Sequence, residues 1–235
     1  SIGRPGPVVI DLPKDVQNDK AKFIDGMKKS YKNSFSKKIN KSLQGNINAI
    51  NKASELIMKA KRPIIYIGGG LINSGNNAIK ELKNFSNLSN FPVTSTLMGL
   101  GAFPASSKFF LGMLGMHGTY EANMAMHDCD VMINIGARFD DRITGKVDEF
   151  SPGSKKIHVD IDPSSIGKNI KVDLAIVSDV SELLRSLNKR FKEKNKDFLN
   201  SNKSNISNWW KDIDKWRQKK SLSFKNSKEV IKPQY

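Results

Sequence analysis

The sequence contains little that could bind a metal or form a covalent cross-link. Its 235 residues include one cysteine, Cys129, and three histidines, His117, His127 and His158, at unrelated spacings. A single cysteine cannot form a disulfide within the chain, and these spacings match no zinc-site signature. We therefore predict neither a disulfide-stabilised scaffold nor a metal site, and we interpret Cys129 as an inert packing residue.

Long apolar runs and targeting signals are also missing. Hydrophobic residues make up 38% of the chain, yet no uninterrupted apolar run reaches the roughly 18 residues that suggest a transmembrane helix. The first residues do not combine positive charge, an apolar stretch and a small-residue cleavage site, as a secretory signal would. We expect a cytoplasmic protein without a membrane partner.

Positive charge is in excess, but it lies outside the part that is predicted to fold. The chain has 39 Lys and Arg against 23 Asp and Glu, a net charge of +16. Residues 1–60 contribute +7 and residues 189–235 contribute +9, whereas residues 61–188 are neutral. A nucleic-acid binder would instead be expected to concentrate Arg and aromatic residues on a folded face. We interpret the Lys-, Asn- and Ser-rich flanks as solvated connectors and predict no nucleic-acid partner.

Apolar runs alternate with helical patterns through the middle of the chain. Strands are predicted at 63–67, 91–96, 131–137, 156–161 and 174–177, and helices from 47 to before Pro63, at 76–89, at 119–128 and after 181. This alternation is typical of a parallel sheet covered on both faces. The predicted fold class is α/β: a doubly wound, mostly parallel sheet of about six strands, with helices on both faces and irregular basic flanks.

The two flanks are predicted to connect this domain to others. A short buried strand, Val8–Leu12, stands between prolines, and residues 17–40 have the composition of a linker. A helix carrying Trp209, Trp210 and Trp216 should pack on this or a neighbouring domain. We divide the chain into the end of a preceding domain with its connector (1–40), a central nucleotide-binding domain (41–190), and a connector toward a missing domain (191–235).

Residues suited to ligand binding follow the predicted strands, where ligands bind in open parallel sheets. Gly68, Gly69 and Gly70 follow the first core strand, and they either let the backbone approach a ligand or form a plain tight turn. Asp160 and Asp162 end the fourth core strand. They either accept hydrogen bonds from ribose hydroxyls, which favours a nucleotide cofactor, or cap a turn.

Two further segments are dense in polar groups. Residues 138–142, RFDDR, either offer one arginine to a carboxylate or phosphate, or form a self-satisfied salt-bridge cluster. His117, among glycines in GMLGMHGTYEAN, either faces a ligand or is a structural residue. The sequence shows no Ser-His-Asp arrangement, nucleophile elbow or P-loop.

Five segments are distinctive in their order and spacing: GRPGPVVIDLPKDVQ, RPIIYIGGG, LMGLGAFP, LGMLGMHGTYEANMAMHDCDVMINIGARFDDRITGK and HVDIDPSSIGKN. Together they resemble the catalytic large subunits of acetohydroxyacid (acetolactate) synthases. That family has three α/β domains, and this sequence is similar to the central one. The resemblance implies a fragment without the thiamine-activating glutamate of the first domain or the Mg²⁺ motif of the last, and therefore inactive alone.

The resemblance also implies that this domain binds FAD, which is structural in the family, whereas thiamine diphosphate and Mg²⁺ belong to the missing domains. Carried over by motif, the FAD-binding residues are Arg4, Gly68, Gly69, Thr96, Leu97, Met98, His117, Gly118, Thr119, Gly136, Arg138, Asp140, Arg142, Asp160, Ile161, Asp179 and Val180. Lys14, Met116, Asp141 and Arg142 are implied to line the substrate channel, where Arg142 would receive the carboxylate of the second substrate.

The implied activity is that of a transferase in isoleucine and valine biosynthesis. Pyruvate is decarboxylated on thiamine diphosphate, and the two-carbon unit joins a second 2-oxo acid, pyruvate or 2-oxobutyrate. Implied partners are further copies of the chain, in a dimer or tetramer, and a regulatory small subunit. Two alternatives are another thiamine-dependent carboligase or oxidase, against which GMHGT and RFDDR argue, and a stand-alone nucleotide-binding module without catalysis.

Overall fold

The protein is described by a computed structural model that covers residue 4, residues 6–20, residue 22 and residues 47–231. Its centre is a sheet of six parallel strands in the order β3-β2-β1-β4-β5-β6. The first strand, β1, lies in the middle of the sheet. The next two, β2 and β3, lie on one side of it, and β4, β5 and β6 lie on the other. The strands are β1 (Pro63–Ile67), β2 (Val93–Ser95), β3 (Phe110–Met113), β4 (Val131–Ile135), β5 (Lys155–Asp160) and β6 (Leu174–Val177).

Helices cover both faces of this sheet. They are α1 (Lys14–Asn18), α2 (Ile47–Lys59), α3 (Gly69–Asn73), α4 (Asn76–Ser89), α5 (Tyr120–Asp128), α6 (Asp141–Thr144) and α7 (Val180–Arg217), with short 3₁₀ turns at Leu97–Gly99, Val147–Glu149 and Pro163–Ser165. Alternate strand residues point to opposite faces. Ile65 and Ile67 therefore join the core beneath α2, α4 and the first half of α7, whereas Ile64 and Tyr66 join the core beneath α5 and the end of α7. The predicted doubly wound α/β fold is confirmed.

The sequence analysis did not predict one of the strands, β3. β3, at the edge of the sheet, contains Gly112, which has a φ of +89° and lies where the register between β2 and β3 shifts. A glycine inside a short apolar run weakens the strand pattern and marks such irregularities. The apolar signal of residues 109–114 is therefore interrupted where the strand lies.

The predicted strand Val8–Leu12 is wrong. Residues 6–13 form no regular structure, and Val9 is 91% exposed. The described strands all come from residues 63–177, and none of them pairs with this segment. Without a neighbouring strand, an apolar run has neither hydrogen-bond partners nor a surface against which to bury. Most of the predicted linker at 17–40 lies outside the described residues.

The tryptophan-bearing helix packs on this domain. The Trp209 side chain is 1% exposed, its ring centroid lies 5.6 Å from that of Trp216, and its Nε1 donates to the Pro63 carbonyl at 2.9 Å. Trp210 Nε1 donates to the Asn90 carbonyl at 2.8 Å. α7 runs without a break from Val180 across the proposed boundary at 190, and the division into domains stays a prediction.

The single cysteine of the chain is buried. Cys129 lies just before β4, with its Sγ 3.3 Å from the Met126 carbonyl and 3.4 Å from Ser151 Oγ. Burial raises the pKa of the Cys129 thiol to about 11, which agrees with an inert packing role.

Within the described ranges, no helix combines the length and the apolar character needed to cross a membrane.

Candidate functional site

A cleft of about 290 Å³ lies at the carboxyl edge of the sheet. It straddles β1 and β4, which are neighbours although the chain leaves them in opposite directions. This is the switch point at which doubly wound sheets bind their ligands. The cleft is lined by Arg4, Gly68, Gly69, Gly70, Asn73, Ser74, Thr96, Met98, Gly136, Ala137, Arg138, Asp140, Asp160, Ile161, Asp179 and Val180.

The floor of the cleft is formed by two loops whose backbones touch. A Cβ on Gly68 would lie 2.3 Å from the Gly136 carbonyl oxygen, and one on Gly70 would lie 2.7 Å from the Gly136 Cα. Gly136 itself has a φ of +65°. Gly68 and Gly70 are therefore required by contact between the loops after β1 and β4, whether or not a ligand approaches them.

One buried carboxyl group lies at the end of β5. Asp160 is 8% exposed, and its Oδ1 accepts the Asp162 N–H at 2.9 Å. Desolvation is the largest cause that raises the pKa of Asp160 above its usual value. A carboxylate at the end of a strand beside the switch point is well placed to accept ribose hydroxyls. Asp162, by contrast, caps the following 3₁₀ turn by accepting the Ser164 N–H at 3.0 Å.

Two arginines bring positive charge to the cleft. Arg4 reaches it from the N-terminal segment and pairs with Asp162 at 3.3 Å, while Arg138 approaches Asp140 at 3.9 Å. Their side chains are 48% and 58% exposed, so these ion pairs contribute little to stability. Both guanidinium groups therefore remain able to bind a phosphate, for which arginine is suited.

The carboxylate of Asp179 is engaged with the protein itself. It caps α7, with Oδ1 accepting the Ser181 N–H at 2.8 Å, and Oδ2 accepts the Ser74 hydroxyl at 2.7 Å. Asp140 caps α6 in the same manner by accepting the Arg142 N–H at 3.2 Å. The resemblance implied a cofactor-binding role for both aspartates, which stays a prediction, and the structure shows that each caps the start of a helix.

The RFDDR segment does not form a closed salt-bridge cluster. Among the described residues, the Arg142 guanidinium makes no ion pair, and the one ion pair inside the segment joins Arg138 and Asp140. Phe139, with a φ of +54°, inserts its buried ring beside Tyr66 and His158, at centroid distances of 5.7 and 5.2 Å. The phenylalanine thus fixes the loop to the sheet, which leaves its charged neighbours at the surface.

A second loop packs against the start of α6. A Cβ on Gly115 would lie 2.9 Å from the Arg142 carbonyl, so the loop that carries Met116 and His117 lies next to Arg142. Asn123 holds this loop, with its amide oxygen accepting the Gly115 N–H at 2.9 Å and its amide nitrogen donating to the Gly115 carbonyl at 3.0 Å. Met116 and His117 are exposed at its tip.

Two residues of this loop have structural roles. Thr119 caps α5, and its hydroxyl donates to the Leu111 carbonyl at 2.6 Å. A Cβ on Gly118 would lie 2.2 Å from the Met113 carbonyl, so that glycine is required by packing. Lys14 is exposed at the start of α1, and no hydrogen bond or ion pair joins its side chain to another described residue.

Most of the predicted cofactor residues come together in the cleft, although their role stays a prediction. Twelve line it: Arg4, Gly68, Gly69, Thr96, Met98, Gly136, Arg138, Asp140, Asp160, Ile161, Asp179 and Val180. Five do not: Leu97, His117, Gly118, Thr119 and Arg142. Sequence reasoning missed Gly70, Asn73, Ser74 and Ala137. Gly70 belonged to the glycine run that was already noted, whereas nothing in the sequence marked Asn73 or Ser74.

A row of polar side chains crosses the sheet beneath the loops of the cleft. Tyr66, Asn134 and His158 occupy aligned positions on β1, β4 and β5. Asn134 bonds both the N–H and the carbonyl of Ala137, whereas neither the Tyr66 hydroxyl nor either His158 ring nitrogen has a hydrogen-bond partner among the described residues. Desolvation lowers the pKa of His158 to about 4, and the nearby Ala137 carbonyl opposes this shift in part. His158 is therefore neutral at physiological pH.

The fold and the cleft together define a doubly wound α/β domain with a cleft at its switch point, where such domains bind their ligands. Residues 50–187 match the sequence profile of "Thiamine pyrophosphate enzyme, central domain". Because this match spans more than half of the chain, the chain belongs to the family of thiamine pyrophosphate enzyme central domains.

Within that family, the chain is similar to acetolactate synthase large subunits. It is 45% identical over 236 aligned residues to that of Buchnera aphidicola subsp. Schizaphis graminum, and 42% identical over 234 to that of Haemophilus influenzae. It is 40% identical over 232 to the isozyme 3 large subunit of Escherichia coli K12. These alignments cover 99–100% of this chain but 39% of each relative, so the chain spans about two fifths of their length. The resemblance found in the sequence is confirmed.

Proposed function

We propose that this chain is the central, FAD-binding domain of an acetolactate synthase large subunit. The observation that supports this proposal best is the convergence at the switch point. Residues that are up to 176 positions apart, from Arg4 to Val180, line one cleft. They offer what a dinucleotide needs: a buried carboxyl group, two arginines that are weakly paired, and a floor of glycines.

The residues present fit FAD. Asp160 would accept the ribose hydroxyls of the adenosine half, and Arg4 with Arg138 would bind the diphosphate. Met98 is 72% exposed beside the cleft and would contact the flavin half. The cleft is near the lower end of the range of about 300–1,000 Å³ usual for ligand sites. We infer that it encloses part of FAD and that domains outside this chain cover the remainder.

Titration of the chain with FAD tests this proposal. We expect saturable binding, seen as a change in flavin fluorescence, that is weaker than in the complete enzyme because part of the cofactor remains uncovered. A folded chain that binds no FAD at high micromolar concentration would show that the cleft has another ligand or none. The alternative of a stand-alone nucleotide module would instead be favoured by binding of ADP as tightly as FAD.

For the complete enzyme we propose the reaction of acetolactate synthases, in isoleucine and valine biosynthesis. Thiamine diphosphate with Mg²⁺, bound by domains outside this chain, would supply the carbanion chemistry on pyruvate. This domain would contribute FAD and one wall of the channel, through Lys14, Met116, Asp141 and Arg142. A cytoplasmic location, assembly into a dimer or tetramer, and a regulatory small subunit are further proposals. Only the last is supported by the names of the relatives, which are large subunits.

Arg142 is the residue that we propose binds the carboxylate of the second 2-oxo acid. Its guanidinium is exposed and makes no ion pair with another described residue, and its backbone is fixed by the Asp140 cap. Arginine can donate two parallel hydrogen bonds to a carboxylate, whereas lysine provides a point charge without a fixed angle. The group is thus free to orient an acceptor.

The substitution Arg142→Lys in the full-length enzyme tests this role. We expect acetolactate formation to fall by about 10-fold or more, the effect of losing a hydrogen bond to a charged group. Decarboxylation should fall less, so that a larger share of the two-carbon unit leaves as acetaldehyde. Both products can be measured in one reaction. An unchanged product ratio, with FAD content intact, would remove Arg142 from the acceptor site.

A further inference from the structure

Ser74 and Asp179 join two walls of the cleft that are far apart in the chain. Ser74 directly follows α3 on the loop after β1, and Asp179 precedes α7 on the loop after β6. The Ser74 hydroxyl donates to Asp179 Oδ2 at 2.7 Å. The Ser181 N–H, on the first turn of α7, lies 2.8 Å from Asp179 Oδ1 and 3.3 Å from the Ser74 oxygen. The Asp179 carboxylate therefore links the end of α3 to the beginning of α7.

This contact fixes the rotation of the carboxylate. The first N–H groups of a helix have no partner within the helix, and its N-terminus attracts negative charge. On α7 the Asp179 carboxylate meets both needs through Oδ1, which accepts the Ser181 and Glu182 N–H groups at 2.8 and 3.4 Å. Because Ser74 holds Oδ2, the group cannot turn that oxygen toward the cleft without losing a hydrogen bond.

We propose that Ser74 is a positioning residue that holds the Asp179 carboxylate on the first turn of α7. It thereby sets the shape of the cleft beside Asp160 and Asp179, where the proposed function puts the adenosine half of FAD. No motif marked Ser74, and its role follows from geometry alone. Without the hydroxyl, Asp179 Oδ2 would need another partner, and its negative charge could turn into the space where the nucleotide lies. The effect on the ligand rests on the proposed function, whereas the effect on Asp179 does not.

Three variants separate positioning from simple stabilisation. Ser74→Ala removes the hydroxyl, and Ser74→Thr keeps it. Ser89→Ala is the matched control, because Ser89 also donates at 2.7 Å, to the Phe85 carbonyl, but does so at the amino edge of the sheet, away from the cleft. The probes are FAD titration of the chain and hydrogen exchange of the Glu182 amide.

We expect Ser74→Ala to raise the Kd for FAD by about 10-fold, the lower end of the effect of a hydrogen bond to a charged group. Ser74→Thr should bind like the wild type. Ser89→Ala should lower stability without changing the Kd. The Glu182 amide, which bonds Asp179 Oδ1 and not Ser74, should exchange faster in Ser74→Ala but not in Ser89→Ala, since only the former frees the cap. Ser181 is not used for this comparison, because its N–H also bonds the Ser74 oxygen directly.

The double variant shows through which residue Ser74 acts. In an Asp179→Ala background, Ser74→Ala should cost nothing further in FAD affinity. The same 10-fold loss in both backgrounds would mean that Ser74 touches the ligand directly, which overturns a positioning role. Unchanged exchange at Glu182 in Ser74→Ala overturns it as well, whether or not FAD binds. If the wild type binds no FAD but exchange at Glu182 accelerates as expected, the proposed function fails and the positioning of Asp179 stands.

Discussion

The two flanks of the domain differ in a way that their composition does not suggest. Both carry the excess positive charge, and both were predicted to be connectors. The N-terminal segment contains the apolar run Val8–Leu12 and is exposed, yet its Arg4 reaches the cleft. The C-terminal half of α7 is rich in lysine, yet Trp209 and Ile213 are buried in the core beneath the sheet. One flank contributes a side chain to the lining of the cleft, and the other closes the core.

The difference shows that packing depends on spacing and on an available surface, not on the number of apolar residues. Ile206, Trp209, Ile213 and Trp216 recur at the three- and four-residue spacing of one helix face. Lysines between them point away and do not oppose burial. The run at 8–12 has more consecutive apolar residues but faces no described strand. Charge density alone therefore does not identify a connector.

The largest expected effect is that of removing the buried tryptophan. Trp209→Ala should lower the free energy of unfolding by about 3–5 kcal/mol, because a large buried side chain is lost and a cavity remains. The hydrogen bond to the Pro63 carbonyl disappears with it. Urea unfolding measures the change, with Leu222→Ala, at a position that is 63% exposed, as the control. A loss below about 1 kcal/mol would mean that the helix end does not close the core.

The stability of the core that contains Trp209 and Phe139 should also depend on pH, because His158 packs against Phe139. The folded-state pKa of His158 is about 4, below the usual value of 6.5, so the unfolded chain binds more protons between these values. Stability is therefore fully present above about pH 6.5 and falls as the pH drops toward 4. Protonation of His158 should lower the free energy of unfolding by about 2 kcal/mol between about pH 7 and pH 5.

The variant His158→Phe tests whether His158 causes this pH dependence of stability. A phenyl ring can keep the packing against Phe139 and cannot titrate. Because neither imidazole nitrogen has a hydrogen-bond partner among the described residues, the substitution should cost little stability at neutral pH. Denaturant unfolding of both proteins at the two pH values gives the comparison. An equal loss of stability on acidification in wild type and variant would assign the pH dependence to other groups.

The smallest effect on stability is expected in the N-terminal flank. Arg4→Gln should change the free energy of unfolding by less than about 0.5 kcal/mol, because its ion pair with Asp162 is largely exposed. The same change should weaken FAD binding by about 10-fold through the lost charge-assisted hydrogen bond. Arg185→Gln removes an exposed ion pair on α7, with Glu182, and serves as the control. Equal FAD affinity in all three proteins would exclude Arg4 from the site.

The sequence was informative wherever a local pattern determines the structure. The bounds of β1, β6 and α4 match the prediction, since continuous apolar runs and helical spacing are properties of the segments themselves. What could not be predicted depends on contacts between distant segments. Three such contacts join residues that are between 68 and 146 positions apart: the hydrogen bond of Ser74 with Asp179, the loop contact of Gly68 with Gly136, and the hydrogen bond of Trp209 with Pro63.

The burial of Cys129 has a practical consequence for measuring how the flanks move. Because the only thiol of the chain is enclosed and has a raised pKa, maleimide reagents should leave the wild-type protein unmodified. A cysteine placed at Val9 or at Leu222, both exposed, would then be the sole site of attachment for a spin label or fluorophore. The protein thus accepts site-specific probes on either flank without prior replacement of its native cysteine, and distances from each flank to the domain become accessible to spectroscopy.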